Sequence, residues 1–201
     1  MRPYTPLLVS RRPLGCLVEI AETLVLTLVI FLVIQAFVAQ PYQVQQESMR
    51  LSLEEGQYVL VDKLTPNFDD YSRGDIIVFA PPNDSGADVV PFIKRVIGEP
   101  GDTVEIRDGG VYVNGARIDE PYVFSGPTRT PEGHGVWQVP TDSLFVMGDN
   151  RNNSTDSRSR SIGPVPRQNV VGRAFLRYWP LNVLGVLPTP TYEGVPQATA
   201  P

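Results

Sequence analysis

The sequence predicts a mainly β protein behind a single N-terminal transmembrane helix. From Leu17 to Ala39 the chain is nearly all apolar, and from Thr23 onward that run carries no charge. The remainder breaks into short apolar segments punctuated by 20 prolines and 17 glycines, a strand-and-turn pattern rather than a helical one. Several of those segments alternate apolar and polar positions, the period of a half-buried strand. The net charge of −5 and the lack of any basic cluster exclude a nucleic-acid surface. Cys16 is the single cysteine, so an internal disulfide or a cysteine zinc site is excluded.

At 1.5 Å rise per residue, ~20 residues cross a ~30 Å hydrocarbon core, and residues 17–39 suffice. Arg2, Arg11 and Arg12 precede the run, and few positive charges follow it. The positive-inside rule therefore assigns residues 1–16 to a cytoplasmic tail and residues 40–180 to one extracytoplasmic domain, with the lipid bilayer as partner. A cleaved signal peptide is the competing reading. The run is longer than a usual signal core, and Pro41 follows the only small-residue exit, so a retained anchor is preferred.

Beyond the anchor, Tyr42 and Val44 alternate with polar residues as a short strand, and Ser48 follows at its end. A serine there is equally a turn or cap residue. Tyr58 to Val61 is a second strand after Gly56, and Arg73-Gly74-Asp75 turns the chain into the strand Ile76 to Phe79. A polar loop over residues 81–88 leads to Val90-Pro91-Phe92-Ile93-Lys94-Arg95-Val96-Ile97. The whole chain has two lysines, Lys63 and Lys94, against fifteen arginines. Arginine serves as a surface cation but cannot release its proton near neutral pH. A lysine inside an apolar run would be desolvated, and its pKa would fall toward that of a general base. The same alternation also allows Lys94 to face water from an edge strand. Lys63, beside Asp62 and a proline turn, reads as solvated or paired.

Thr103 to Ile106 and Gly110 to Val113 flank Asp108-Gly109-Gly110 as a hairpin. Residues 121–136 form a loop expected to be flexible, and it holds His134, the only histidine. A glycine-flanked loop positions a side chain poorly, so His134 reads as a solvent histidine. After the strand Leu144 to Met147 comes Gly148-Asp149-Asn150-Arg151-Asn152-Asn153-Ser154-Thr155-Asp156-Ser157-Arg158. Asp156 with Arg158, or Asp149 with Arg151, would fix this loop as ion pairs. EF-hand spacing is absent, and no metal or other cofactor is expected. A last strand runs from Val170 to Trp179, and the proline-rich tail 181–201 is expected to be poorly ordered.

Four blocks in order, Ser48-Met49 past the span, Arg73-Gly74-Asp75, Lys94 through Asp102, and Gly148 through Arg158, resemble the bacterial type I signal peptidases. That family consists of membrane serine proteases with a Ser/Lys dyad. The resemblance runs from the anchor to Trp179. It implies a catalytic domain of coiled antiparallel sheets, with Ser48 as nucleophile and Lys94 as general base. Ser154 would orient the lysine, while Asp149, Asp156 and Arg158 would support the site. The implied partners are exported preproteins, cut after Ala-x-Ala-type sites. Tyr42, Val44, Met49, Phe92 and Ile93 would wall the pocket, and the Ser48 backbone N–H, helped by Gln46, would form the oxyanion hole. The chain departs from the pattern Ser-Met-x-Pro-Thr-Leu at Leu51 and Ser52, and Gln46 stands where Ser or Gly is usual. Gly56-Gln57 replaces Gly-Asp, and the link Ser159 to Ile162 is longer than expected. A soluble self-cleaving repressor would share the fold and dyad but should carry a helix-turn-helix domain and an internal Ala-Gly cleavage site, and this chain has a membrane span instead. A non-enzymatic anchored β domain is the other alternative.

Overall fold

A computed structural model describes residues 13–82, 90–124, 126–130 and 135–196. The chain divides into two compact units, one through Val38 and one from Ala39. The first is helix α1 (Pro13–Val33) continued by a π-helical turn, Ile34–Val38. Proline at the first helical position costs nothing, because the N–H it lacks has no partner there. Gly15–Val33 has a mean hydropathy of 2.4 and is long and apolar enough to cross a membrane. Thr23 and Thr27 return their hydroxyls to the carbonyls of Glu19 and Thr23, both at 2.8 Å, so neither polar group is left bare. Regular helix thus starts before Leu17 and ends at Val33, and Ala39 already belongs to a strand.

The second unit is built from strands β1 (Ala39–Gln43), β2 (Tyr58–Asp62), β3 (Ile76–Phe79), β4 (Phe92–Gly98), β5 (Thr103–Arg107), β6 (Gly110–Val113), β7 (Ala116–Arg117), β8 (Val136–Gln138), β9 (Ser143–Met147), β10 (Val165–Pro166), β11 (Val170–Trp179) and β12 (Gly185–Val186). The larger sheet runs β1-β2-β11-β3-β4-β9-β10 with β12 added to β11, and the smaller runs β7-β6-β5-β8. Register slips along β11, between Val170 and Gly172, Ala174 and Leu176, and Arg177 and Trp179, bend this long strand. The bends curl the sheet into a half-barrel, and β1 remains at its free edge.

Alternation and burial explain the central strands. Ile76 and Val78 of β3 face one apolar cluster with Val59, Val61 and Ile93, while Ile77 and Phe79 face another with Val96, Leu144 and Val146. A strand covered on both faces must be apolar throughout, as Ile76–Phe79 is. A third cluster joins the two sheets through Ile97, Val104, Val113 and Phe145. Strand β4 lies between β3 and β9, so Lys94 is on an interior strand and not on an edge.

Two expectations are corrected. The tail from Leu181 is packed as far as residue 196: Leu187 is buried in the first cluster, and the Thr189 hydroxyl donates to Asp75 at 3.0 Å. Tyr192 packs on the third cluster, and its hydroxyl meets that of Tyr122 at 2.6 Å. The tail first joins the ladder, with β12 pairing β11 and Leu187 N–H donating to Phe175 O at 2.8 Å, and its later prolines leave few N–H groups to satisfy. The loop 121–136 is likewise tied down where it is described. Phe124 N–H donates to Asp149 O at 2.9 Å, Thr128 N–H donates to Gly109 O at 2.9 Å, and Thr128 is buried. His134 lies outside the described residues.

If the tail is part of the core, Leu187→Ala lowers folding stability by about 2–4 kcal/mol in a denaturant titration. A change below about 0.5 kcal/mol, typical of an exposed position, would return residues 181–196 to a loose tail.

Candidate active site

Ser48 sits in a single 3-10 turn, Glu47–Met49, that follows β1. Met49 and Leu53, both fully buried, root this turn in the first cluster. The loop after β9 grips it from the other side: Asn150 N–H donates to Ser48 O at 2.9 Å, and Asn150 Nδ2 to Glu47 O at 3.1 Å. Gly148 permits that approach, since a Cβ there would stand 2.5 Å from the Ser48 carbonyl oxygen.

Lys94 Nζ lies 2.7 Å from Ser48 Oγ, donating to it and, at 3.1 Å, to the carbonyl of Ile93. The side chain is 1% exposed, and its ammonium stands 5.0 Å from the Phe92 ring centre. Burial pulls the Lys94 pKa down to about 8, against the opposing attraction of Asp156 and Asp149. When the amine is neutral the short contact reverses, with the serine hydroxyl donating to nitrogen.

Three buried ion pairs surround this contact. Asp149, 0% exposed, takes Arg95 Nε at 2.9 Å and Nη2 at 2.8 Å, and also accepts the Ser52 hydroxyl at 2.5 Å. Arg95 further donates to Gly74 O at 2.7 Å and lies 4.0 Å over the Tyr122 ring. Asp156 and Arg158 form the expected pair, with two contacts of 2.8 Å, and Asp156 also accepts Gly148 N–H at 3.0 Å. The alternative pair, Asp149 with Arg151, does not form: Arg151 binds Glu120 instead. Arg95 on β4 stands opposite Met147 on β9, so Asp149 meets its cation diagonally across the ladder rather than in its own turn.

Ser154 is brought beside Gly148, but its Oγ is buried without a hydrogen-bond partner and does not bond Lys94. Gln46 is exposed, with extended backbone (φ −139°, ψ 154°), and its side chain makes no capping bond. A cleft of about 20 Å³ opens beside Ser48, lined by Val44, Met49 and Ile93 as expected, and by Gln43, Gln45, Gln46, Val90 and Pro91. Tyr42 and Phe92 are not among its walls: Tyr42 packs half-buried on the first cluster, and Phe92 stands edge-on to Phe79 at 6.0 Å. Lys63 lies elsewhere, donating to Gln40 at 3.5 Å.

The departures have structural consequences. Leu51 adopts φ +82°, which proline, fixed near −65°, cannot reach. Ser52 retains a hydroxyl, held between Arg95 at 3.0 Å and Asp149. Arg95, Glu120 and Tyr122 carry no role in the sequence reading, Asn150 enters it only within the Gly148–Arg158 block, and Ser52 only as a departure. Arg95 alone gave a hint, as a second cation inside the apolar run that carries Lys94.

A curled β domain behind an apolar helix, with a buried serine–lysine contact, defines a class in which hydrolases without histidine are found. The chain matches the model of the family "Signal peptidase, peptidase S26" over residues 17–179. It is 44% identical to signal peptidase I of Leptolyngbya laminosa, an alignment spanning 88% of this chain and 87% of that one. It is 34% identical to signal peptidase I S of Bacillus subtilis, over 83% of this chain and 91% of that one. A crystal structure of a signal peptidase I from Enterococcus faecalis aligns at 33% identity with a TM-score of 0.42, covering 52% of this chain and 97% of that one. The chain therefore belongs to the signal peptidase I family, serine proteases that remove signal peptides from preproteins.

Removing one member of the Arg95–Asp149 pair strands the other charge out of water. Asp149→Ala is expected to cost about 3–5 kcal/mol in equilibrium unfolding. A loss under about 1 kcal/mol, the scale of an exposed pair, would show that water reaches Arg95.

Proposed function

We propose that the protein is a membrane-anchored endopeptidase in which Ser48 is the nucleophile and Lys94 the general base. The buried 2.7 Å contact between the two, with no histidine at it among the described residues, carries the reading. The neutral amine takes the Ser48 proton as Oγ attacks the scissile carbonyl, forming a tetrahedral intermediate. The Ser48 backbone N–H, with the Gln46 amide near it, faces the developing oxyanion. The ammonium then gives its proton to the departing amine, and an acyl-serine remains. Water, deprotonated by the same lysine, hydrolyses that ester and restores the hydroxyl. Asp149, Asp156 and Arg158 act as positioning groups around the lysine.

The substrate is an exported preprotein whose cleavage region lies extended along the free edge of β1. Backbone pairing there gives affinity, and the alternate side chains give specificity. A cleft of about 20 Å³ holds little more than a methyl group, which favours alanine beside the cut. Arg2, Arg11 and Arg12 before the span support an N-terminus in the cytoplasm and a β domain outside.

Purified protein in detergent, given an Ala-x-Ala peptide, tests the dyad. Ser48→Ala, Lys94→Met and Lys94→Arg should all be inactive, the last because arginine keeps its proton. Lys63→Arg and His134→Ala should cleave as well as the parent. An active Lys94→Met, or an inactive His134→Ala, overturns the assignment. The rate should rise with pH and level off above about 8, as the amine becomes populated. Moving the Lys94 pKa from 10.5 to about 8 costs the folded state roughly 3 kcal/mol wherever the lysine is charged. That penalty is complete below about pH 8 and fades as pH approaches the unfolded value. Lys94→Met should therefore melt higher than the parent at pH 7.

Orientation is tested separately. Protease added to intact spheroplasts should digest the chain beyond about Gln40, whereas full protection of the β domain would reverse the topology.

A further inference from the structure

A second opening lies beside the segment that follows the serine turn. The cleft for residues before the cut touches Gln46, Ser48 and Met49. A groove of about 470 Å³ begins three residues after Ser48, at Leu51 and Ser52. Its floor includes Arg95 and Tyr122, and its outer wall includes Arg177 and Val186. That volume is within the range of ligand sites, ~300–1,000 Å³. The outer wall belongs partly to the tail that packs back after Trp179, where the family match ends.

The groove has a sign. Its lining contains two arginines and no carboxylate, in a chain with a net charge of −5. Arg95 is neutralised by its two contacts with Asp149. Arg177 is not: its Nε donates to Val183 O at 2.7 Å and its Nη1 to Ser52 O at 3.1 Å, both uncharged acceptors. Among the described residues no acid pairs with Arg177, and its Nη2 has no partner. The two carbonyl bonds fix the guanidinium plane and leave one arm for an incoming group. A carboxylate matches that arm in charge and geometry.

We propose that this groove receives the segment of the preprotein just after the scissile bond, and that Arg177 selects an acidic side chain within its first few residues. The proposal rests on Ser48 being the nucleophile. A peptide lying along residues 43–46 and cut at Ser48 has its departing half next to Leu51 and Ser52, at the mouth of the groove. Leu51, 57% exposed and held at φ +82°, stands there as an apolar lip. The exposed Val186 closes the other side at 75% exposure.

The test uses the full-length protein in detergent and peptides sharing one Ala-x-Ala site, with Asp, Asn or Lys placed at the second, third or fourth position after the cut. At one of these positions the parent should prefer Asp over Asn by about fivefold in kcat/KM, the scale of one partly exposed ion pair. Lys should fall below Asn at the same position. The preference for Asp should shrink as salt is raised. Arg177→Gln should lower the Asp-to-Asn ratio to one, and Arg177→Lys should keep part of it. Because Arg177 also braces Ser52, a second variant leaves it untouched: Val186→Glu, at an exposed wall position, should turn the preference toward Lys. Cleavage of all three peptides at equal rates by the parent overturns the proposal while leaving the dyad standing. Cleavage of none of them, with the parent folded, instead removes the Ser48 reading on which the proposal rests. An Asp preference that survives both Arg177→Gln and Val186→Glu also overturns it.

Discussion

The buried pair of Arg95 and Asp149 is the constraint on which the rest of the second unit depends. It joins β4 to the turn after β9, and it also holds Ser52 from the segment after Ser48 and Gly74 from the turn before β3. Through Tyr122 it reaches the loop after β7, and through Tyr192 it reaches the tail. Neither charge can be exposed alone without stranding the other, so these segments are bound into one arrangement. Lys94 is the residue next to Arg95, and the pair thereby fixes the strand from which Nζ reaches Ser48.

Cations are distributed in this interior by what each must do with its proton. Arg95, Arg151 and Arg158 are buried beside carboxylates and keep their charge under all ordinary conditions. Lys94 is as deeply buried but has a hydroxyl and a carbonyl as partners, with its nearest acids already engaged by arginines. Its charge is therefore the poorly supported one. The ratio of fifteen arginines to two lysines has a physical reading in this setting. Permanent charge is given to arginine, and a reversible one to lysine.

Much of this was legible in the sequence because it depends on local pattern. The apolar run announces α1, alternation and turn residues announce β2, β3, β5, β6 and β9, and a lysine among apolar neighbours suggests desolvation. What stayed hidden depends on contacts across the ladder or between distant segments. Asp149 sits two residues from Arg151, yet it pairs with Arg95 because cross-strand geometry outweighs sequence proximity. Phe92 precedes the lysine block and reads as a pocket wall, but Phe79 from β3 claims its ring. The prolines after Leu181 suggested disorder. Leu187 and Tyr192, apolar anchors between those prolines, outweighed that signal once the curled sheets offered them a surface.

The packed tail also sets the order in which the domain can be completed. Leu187, Thr189 and Tyr192 are made after every strand they touch, and they engage the first cluster, Asp75 and Tyr122 in turn. A nascent chain that has delivered Ser48 and Lys94 still lacks the segment that braces Tyr122 beneath Arg95. Full assembly of the network therefore waits until Tyr192 has been made, and a chain stalled before Leu187 would carry Ser48 and Lys94 on an unfinished frame.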